Sequence, residues 1–203
     1  KNRVERERES KEASKSKFAE LKARLDEPSF TPKNKREILE KMLQSSPENR
    51  TILVALIFYS AMEEDWEKAL KYARDFRKEK GRESAGRLSV GLLEAEILHH
   101  MGRQDEASGS LEDYGRFTRD PWYRALSECL LGKMTEESLK NEARKSPENL
   151  LTLHTALGFW AEGSGEKEKA IVHYKEALES FLDTRLEFNF ARERIKSLRK
   201  SSG

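Results

Sequence analysis

The chain has 203 residues, of which 37% are charged and 36% hydrophobic, and its formal net charge is +2 at pH 7. This balance is too apolar for a wholly disordered chain and too charged for one thick globular core, but it suits thin, two-layer helical packing. The small net charge argues against a dedicated nucleic-acid-binding protein, because tight phosphate binding usually requires a strong basic excess.

Several features favour an all-α protein that does not insert into a membrane. Runs of β-branched residues are nearly absent, and the longest apolar run, 52–62, is too short to span a bilayer. The single cysteine, Cys129, rules out an intramolecular disulfide, which fits a reducing compartment such as the cytoplasm. No signal-peptide pattern of a basic start and an apolar stretch is present.

Residues 1–27 form a charged N-terminal segment that we predict to be helical. Nine Lys or Arg side chains oppose five Glu among its first 24 residues, and apolar spacing begins only with Phe18, Leu21 and Leu25. One interpretation is a solvated helix whose end docks on the core. The alternative is a juxtamembrane stalk, preceded by a membrane helix upstream of Lys1.

Capping signals predict where the following helices begin. Thr31 is expected to cap a helix that starts at Pro32, because proline is well suited to the first helical position. Ser46 and Pro47 repeat this pattern for the next helix, and Asp65 is expected to cap the one after it.

An internal sequence repeat divides the rest of the chain into helical units. The sequence Ser-Pro-Glu-Asn at 46–49 recurs at 146–149, a shift of 100 residues that is close to three repeats of about 34. Helical hairpins fit between the two copies. We therefore predict four hairpins, which begin near Pro47, Glu83, Pro121 and Pro147.

The last hairpin, residues 147–178, has the clearest pattern. Apolar residues recur at helical spacing, Gly165 occupies the turn, and small residues mark a close helix seam at Gly158, Ala170 and Ala177. The second hairpin repeats this with Ala95 in the role of Gly158, Gly102 at the turn and Ala107 in the seam, followed by Tyr114. The third has Ala125 and Gly132, but a poor seam at 137–138.

These residues resemble the tetratricopeptide repeat, whose first helix carries a Leu-Gly pair and whose second carries Ala, an aromatic residue and Ala. The matching residues are Leu157, Gly158, Gly165, Ala170, Tyr174 and Ala177. The resemblance covers roughly residues 35–200 and implies a right-handed α-α superhelix, or solenoid, over 33–200. The basic segment 183–200 is then expected to be its C-terminal capping helix, since repeat arrays need a terminal element with a polar outer face.

No catalytic or cofactor motif is present, so we expect neither an enzyme nor a bound cofactor. His99, His100, His154 and His173 are expected to be separate surface or groove histidines rather than metal ligands, because no spaced cysteine pair accompanies them. Cys129 lies in an apolar run and is expected to be a small buried hydrophobe.

The resemblance also implies a concave groove lined by the first helix of each hairpin. Its inward side chains would be Val54, Phe58, Met62, Leu92, Glu96, His99, Trp122, Leu126, Thr155 and Phe159, with Glu162 at one end. The Lys, Arg and Asn that such domains use to hold a C-terminal carboxylate do not occur in this set. The groove is therefore expected to bind an apolar segment, such as an amphipathic helix or a bulky extended peptide. Alternatively, some of these aromatic residues fill the core between repeats or are covered by the N-terminal helix of this chain.

Two functional hypotheses follow from this pattern. The first is a non-enzymatic scaffold that binds a protein or peptide partner in the groove. The second is the soluble domain of a membrane-anchored protein, tethered by sequence upstream of Lys1, that recruits or stabilises an assembly at the bilayer. Nucleic acid is not expected as a partner, whereas a homodimer is compatible with the exposed ends of a solenoid.

Overall fold

The computed structural model describes residues 16, 18–25, 27, 29–78 and 85–200, with side chains from residue 90 onward in the last range. Every regular element within these ranges is an α-helix, and they contain no strand, which confirms the all-α prediction. Among the same residues, none of the helices combines the length and apolar character needed to cross a membrane.

Ten helices follow the short helical segment 18–25 in the described part of the chain. They are α1 (Pro32–Ser45), α2 (Arg50–Met62), α3 (Trp66–Lys78), α4 (Ala85–His100), α5 (Gln104–Phe117), α6 (Pro121–Leu130), α7 (Glu136–Ala143), α8 (Pro147–Gly163), α9 (Lys167–Leu178) and α10 (Leu186–Lys200). The pairs α2/α3, α4/α5, α6/α7 and α8/α9 are the four predicted hairpins.

The four hairpins turn in the same way. In each, one residue adopts a left-handed conformation and its N–H donates to the carbonyl three residues earlier, which ends the first helix. Three of these residues are the predicted turn glycines, with φ between 71° and 77°: Gly102, Gly132 and Gly165. The first hairpin has Glu64 at this position instead, at φ 60°. The left-handed conformation is sterically costly for a residue other than glycine, so we expect contacts of the Glu64 side chain that offset this cost.

The predicted start of α2 is wrong by three residues. Ser46 ends α1, because its N–H donates to the Leu43 carbonyl, and Asn49 caps α2 by accepting from the Ile52 N–H. In the second copy of the tetrapeptide, two further residues separate the preceding helix from Ser146, which is therefore free to cap α8. The Thr31 cap on α1 is confirmed.

The end of the N-terminal segment docks on the core, as one interpretation of the sequence predicted. Leu21 is buried in the main hydrophobic cluster, and Phe18 and Leu25 pack against that cluster. Residues 1–15 lie outside the described part of the chain, so the stalk hypothesis concerns residues that the structure does not describe.

Helix α10 packs against more of the molecule than a terminal cap on the last hairpin would. It contacts α9 and α8 of the last hairpin and also α2 of the first. Its Phe190 is fully buried, with ring centroids 5.9 Å from Phe58 and 5.0 Å from Phe159. The helix therefore covers the sides of α2 and α8 that carry Phe58 and Phe159.

A buried ion pair fixes α10 in this position. Arg194 donates two hydrogen bonds from its guanidinium to Glu162 on α8, and both side chains are buried. Its Nη1 also donates to Glu64 Oε1 at 3.0 Å, in the first hairpin turn. Tyr174 on α9 completes the network by donating its hydroxyl to Glu162 Oε2 at 2.8 Å. The side chain of Glu64 thus joins the first turn to the C-terminal helix.

Candidate functional site

Four of the predicted groove residues line one small cavity at the centre of the helical array. They are Phe58, Leu92, Glu96 and Thr155, joined by Leu93, Tyr123, Thr152, Ala156 and Glu187. The first helix of every hairpin contributes to this lining, and α10 adds Glu187. The cavity is therefore the point at which α2, α4, α6, α8 and α10 meet.

The cavity is narrow and has apolar walls with polar groups at its mouth. Its volume is about 30 Å³, which is room for a group the size of one or two water molecules. Phe58, Leu92 and Ala156 are buried, whereas Tyr123 and Glu187 are partly exposed and give the cavity its contact with solvent.

Glu96 is the unusual group in the cavity. Its side chain is 97% buried and, within the described part of the chain, its Oε1 has no hydrogen-bond partner. Burial raises the pKa of this carboxyl to about 8, so it is largely protonated at neutral pH. Thr155 Oγ1 is also buried and without a partner among the described residues. Buried polar atoms are normally hydrogen-bonded, so these two mark a place where a ligand group or water is expected.

The other six predicted groove residues do not line this cavity. Leu126 and Phe159 are fully buried, Met62 is buried, and Val54 and Trp122 are partly buried against the two hydrophobic clusters. Phe159 is buried because Phe190 of α10 packs directly on its ring. This burial matches the alternative that some of the aromatic residues fill the core, and their role in partner binding stays a prediction.

His99 joins the second hairpin to the last one. Its ring stacks on Trp160 with centroids 3.8 Å apart, and its Nε2 lies 2.9 Å from Ser164 Oγ. A Cβ at Gly163 would lie 2.7 Å from the His99 ring, so only glycine permits this close approach of α8 and α4. His99 is therefore part of the packing between hairpins in this structure.

The structure brings together three side chains that could hold a metal ion: His154, His173 and Glu176. Both histidines are buried and adjacent, which corrects the prediction that they are separate surface or groove residues, and Glu176 was not among the predicted candidates. The sequence signal that could have indicated this cluster is the spacing of His173 and Glu176, which lie three residues apart on one face of α9. Burial lowers the pKa of both histidines, despite the nearby carboxylates of Glu176 and Glu136.

Two larger cavities are open grooves on the surface. One of about 550 Å³ lies between α1 and α3, and one of about 320 Å³ lies between α5 and α6. Exposed Lys, Arg, Asp and Glu side chains form much of both linings. Neither lining includes a buried polar atom without a partner in the described part of the chain, unlike the central cavity.

Comparison with known proteins adds no family to these observations. No protein-family model matches the chain, and no curated protein matches it significantly.

Proposed function

We propose that this chain is a non-enzymatic scaffold of the tetratricopeptide type, which binds a segment of a protein partner at the central cavity. The observation that carries the proposal is the buried Oε1 of Glu96, which has no hydrogen-bond partner among the described residues and lies where the first helices of all four hairpins meet. In a superhelix of helical hairpins, these first helices form the inner face.

Repetition along the chain supports the superhelical part of the proposal. The four hairpins share one turn geometry, and small residues are fully buried in the seams of the second and fourth at Ala95, Ala107, Ala170 and Ala177. The first helices also pack on one another, since α4 contacts α2, α6 and α8. The contacts of α4 with α2 and α6 are the neighbour-to-neighbour packing expected of helical repeats, whereas its contact with α8 brings the second and fourth hairpins together, which an extended repeat array does not do.

The cavity favours a lysine side chain of the partner as the group that enters it. An ammonium head is about the size of a water molecule and therefore fits the cavity, while the apolar stem would lie at the mouth, beside the ring of Tyr123. A lysine would supply hydrogen-bond donors to Glu96 Oε1 and Thr155 Oγ1. Its positive charge would favour ionised Glu96 and would also be attracted by Glu187 at the mouth.

The position of α10 limits how much of the predicted groove a partner can reach. Because α10 covers Phe58 and Phe159 from one side, a partner meets the mouth formed by Tyr123, Thr152 and Glu187 rather than a groove along the whole array. The expected ligand is thus a short segment with one lysine and flanking apolar side chains, which pack around the mouth.

Selection of displayed random peptides on the folded protein tests this proposal. The expected result is enrichment of sequences with a shared lysine between apolar residues. Replacing that lysine by norleucine, which keeps the stem and removes the charge, should weaken binding at least tenfold, the scale of a charge-assisted hydrogen bond in a desolvated pocket.

Two variants locate the peptide on the protein. Glu96→Gln keeps the size of the side chain and should lose most of the binding, whereas Glu168→Gln removes an exposed carboxylate outside the cavity lining and should leave binding unchanged. Failure to select any peptide, or peptides that bind Glu96→Gln as tightly as wild type, would contradict the proposal.

A further inference from the structure

We propose that His154, His173 and Glu176 form a binding site for a divalent transition-metal ion, with Zn²⁺ as the expected occupant. The site lies within the last hairpin, between α8, which carries His154, and α9, which carries the other two residues. It shares no residue with the central cavity, so the inference does not depend on the proposed function.

The distances between the three donor atoms match those of a zinc site. His154 Nδ1 lies 3.2 Å from His173 Nδ1 and 2.8 Å from Glu176 Oε2, and His173 Nδ1 lies 3.6 Å from Glu176 Oε2. Ligands about 2.0–2.1 Å from a tetrahedral Zn²⁺ lie about 3.3 Å from one another. A single ion can therefore bind all three atoms with little movement of the side chains.

Hydrogen bonds alone satisfy this arrangement poorly. If the His154 Nδ1–H donates to Glu176, a second proton on His173 Nδ1 has no good acceptor, because the same carboxylate oxygen is 3.6 Å away. If His173 Nδ1 carries no proton, it can accept from the His154 Nδ1–H at 3.2 Å, but that single N–H is then shared between His173 and Glu176. A shared cation would replace this divided hydrogen bond by a direct contact with each of the three atoms.

The surroundings are suited to a cation at this point. Both imidazoles are buried and held by packing, which fixes the two nitrogen donors. Glu136 on α7 lies 3.8 Å from His173 Nε2, on the side where metal-binding histidines usually meet a carboxylate. Lys140 and Lys169 lie nearby, but they pair with Glu136, Glu137 and Glu166.

The ligand set indicates which metal binds and how. Two imidazole nitrogens and one carboxylate suit Zn²⁺, while the absence of thiolate in the set argues against copper(I). Three protein ligands leave the fourth position of a tetrahedral ion for water or a further ligand. The Glu176 side chain is 40% exposed, so the site can be reached by an ion from solvent.

Titration of Zn²⁺ into metal-free wild-type protein tests the proposal directly. Calorimetry should show one ion per chain with micromolar or tighter affinity. X-ray absorption at the zinc edge should show nitrogen or oxygen ligands at about 2.0–2.1 Å and no sulfur at about 2.3 Å, which separates this site from binding at Cys129.

Matched alanine variants on α9 locate the ion. Glu176→Ala removes a half-exposed ligand without opening the core and should weaken Zn²⁺ binding at least tenfold, whereas Glu179→Ala, one helical turn further on, should bind as wild type does. The proposal is overturned if wild type shows no binding tighter than millimolar, or if Glu176→Ala retains wild-type affinity. Binding that the absorption spectrum assigns to sulfur overturns it as well.

Discussion

The ring of Tyr174 occupies the space that a side chain at position 158 would need. A Cβ on Gly158 would lie 2.7 Å from both Cδ1 and Cε1 of this ring, which is fully buried and anchored through its hydroxyl to Glu162. Gly91 has the same relation to Tyr114 in the second hairpin, where the added Cβ would lie 2.3 Å from the ring. In two hairpins, a glycine in the first helix thus admits a tyrosine from the second.

Gly158→Ala should therefore destabilise the fold, although alanine is the better helix former. Overpacking of a fixed core typically costs about 1–3 kcal/mol, which outweighs the gain of about 1 kcal/mol in helix propensity. The control is Gly109→Ala on the exposed side of α5, where a Cβ would meet no atom within 4 Å and should stabilise the protein. Urea denaturation measures both changes. Equal stabilisation by the two substitutions would refute the close packing at Gly158.

Two substitutions at Glu64 distinguish the cost of its left-handed backbone conformation from the stabilisation that its side-chain contacts provide. Glu64→Ala and Glu64→Gly both remove the acceptor for Arg194 and Ser197. Only glycine also relieves the left-handed conformation, which costs roughly 1–2 kcal/mol for other residues. We expect the glycine variant to have the higher free energy of unfolding of the two, by about 1 kcal/mol. An alanine variant at least as stable as the glycine variant would contradict this.

Phe159→Ala should be costly because the residue lies in the core. Its ring is fully buried against Phe190 and Trp66, so truncation should lower the free energy of unfolding by about 3–5 kcal/mol. The matched comparison is Phe117→Ala, because the Phe117 side chain is 72% exposed and should cost far less. A small loss at Phe159 would instead indicate an accessible groove, as the sequence predicted.

Glu162 should make stability fall in acid. Burial alone would raise the pKa of this carboxyl, but contacts with His100 and Arg194, and the charge of Arg194, outweigh burial and hold the pKa at about 2. The unfolded value is near 4.5, so the stabilisation is present above pH 4.5 and is lost as pH falls toward 2. Glu162→Gln should lower stability at pH 7 by about 3 kcal/mol, because buried Arg194 then keeps only the half-exposed carboxylate of Glu64 as its ionic partner.

The pH profile of the variant provides the check on this network. Urea denaturation at pH 7 and at pH 3 should show a smaller difference for Glu162→Gln than for wild type. The same difference in both proteins would mean that other carboxylates govern the acid transition.

Glu96 should have the opposite pH dependence. Its pKa is about 8 in the folded protein and near 4.5 in the unfolded chain, so the folded state holds an extra proton between these values. Stability should therefore fall as pH rises from 5 to 8, with a slope of up to about 1.4 kcal/mol per pH unit from this group. Glu96→Gln mimics the protonated form and should be more stable than wild type at pH 8. A parallel pH profile in the variant would show that Glu96 is already ionised in the fold.

Local signals in the sequence determined the helices and their turns. Apolar spacing, capping residues such as Thr31 and Ser146, and the conformational freedom of glycine at positions such as 102 and 165 act within a few residues. They therefore predicted four hairpins and the seams of the second and fourth. The same signals misplaced the start of α2, because whether Ser46 begins one helix or ends another depends on two residues of spacing.

Only the tertiary structure decided what Phe58 and Phe159 contact. Arg194 and Glu64 are 130 residues apart, and their hydrogen bond depends on how the hairpins between them are arranged in space. Periodicity within one helix does not encode that arrangement, so it could not predict that α10 covers Phe58 and Phe159. The sequence likewise could not predict that His154 lies next to His173, because this contact depends on how α8 and α9 are turned about their axes within the hairpin.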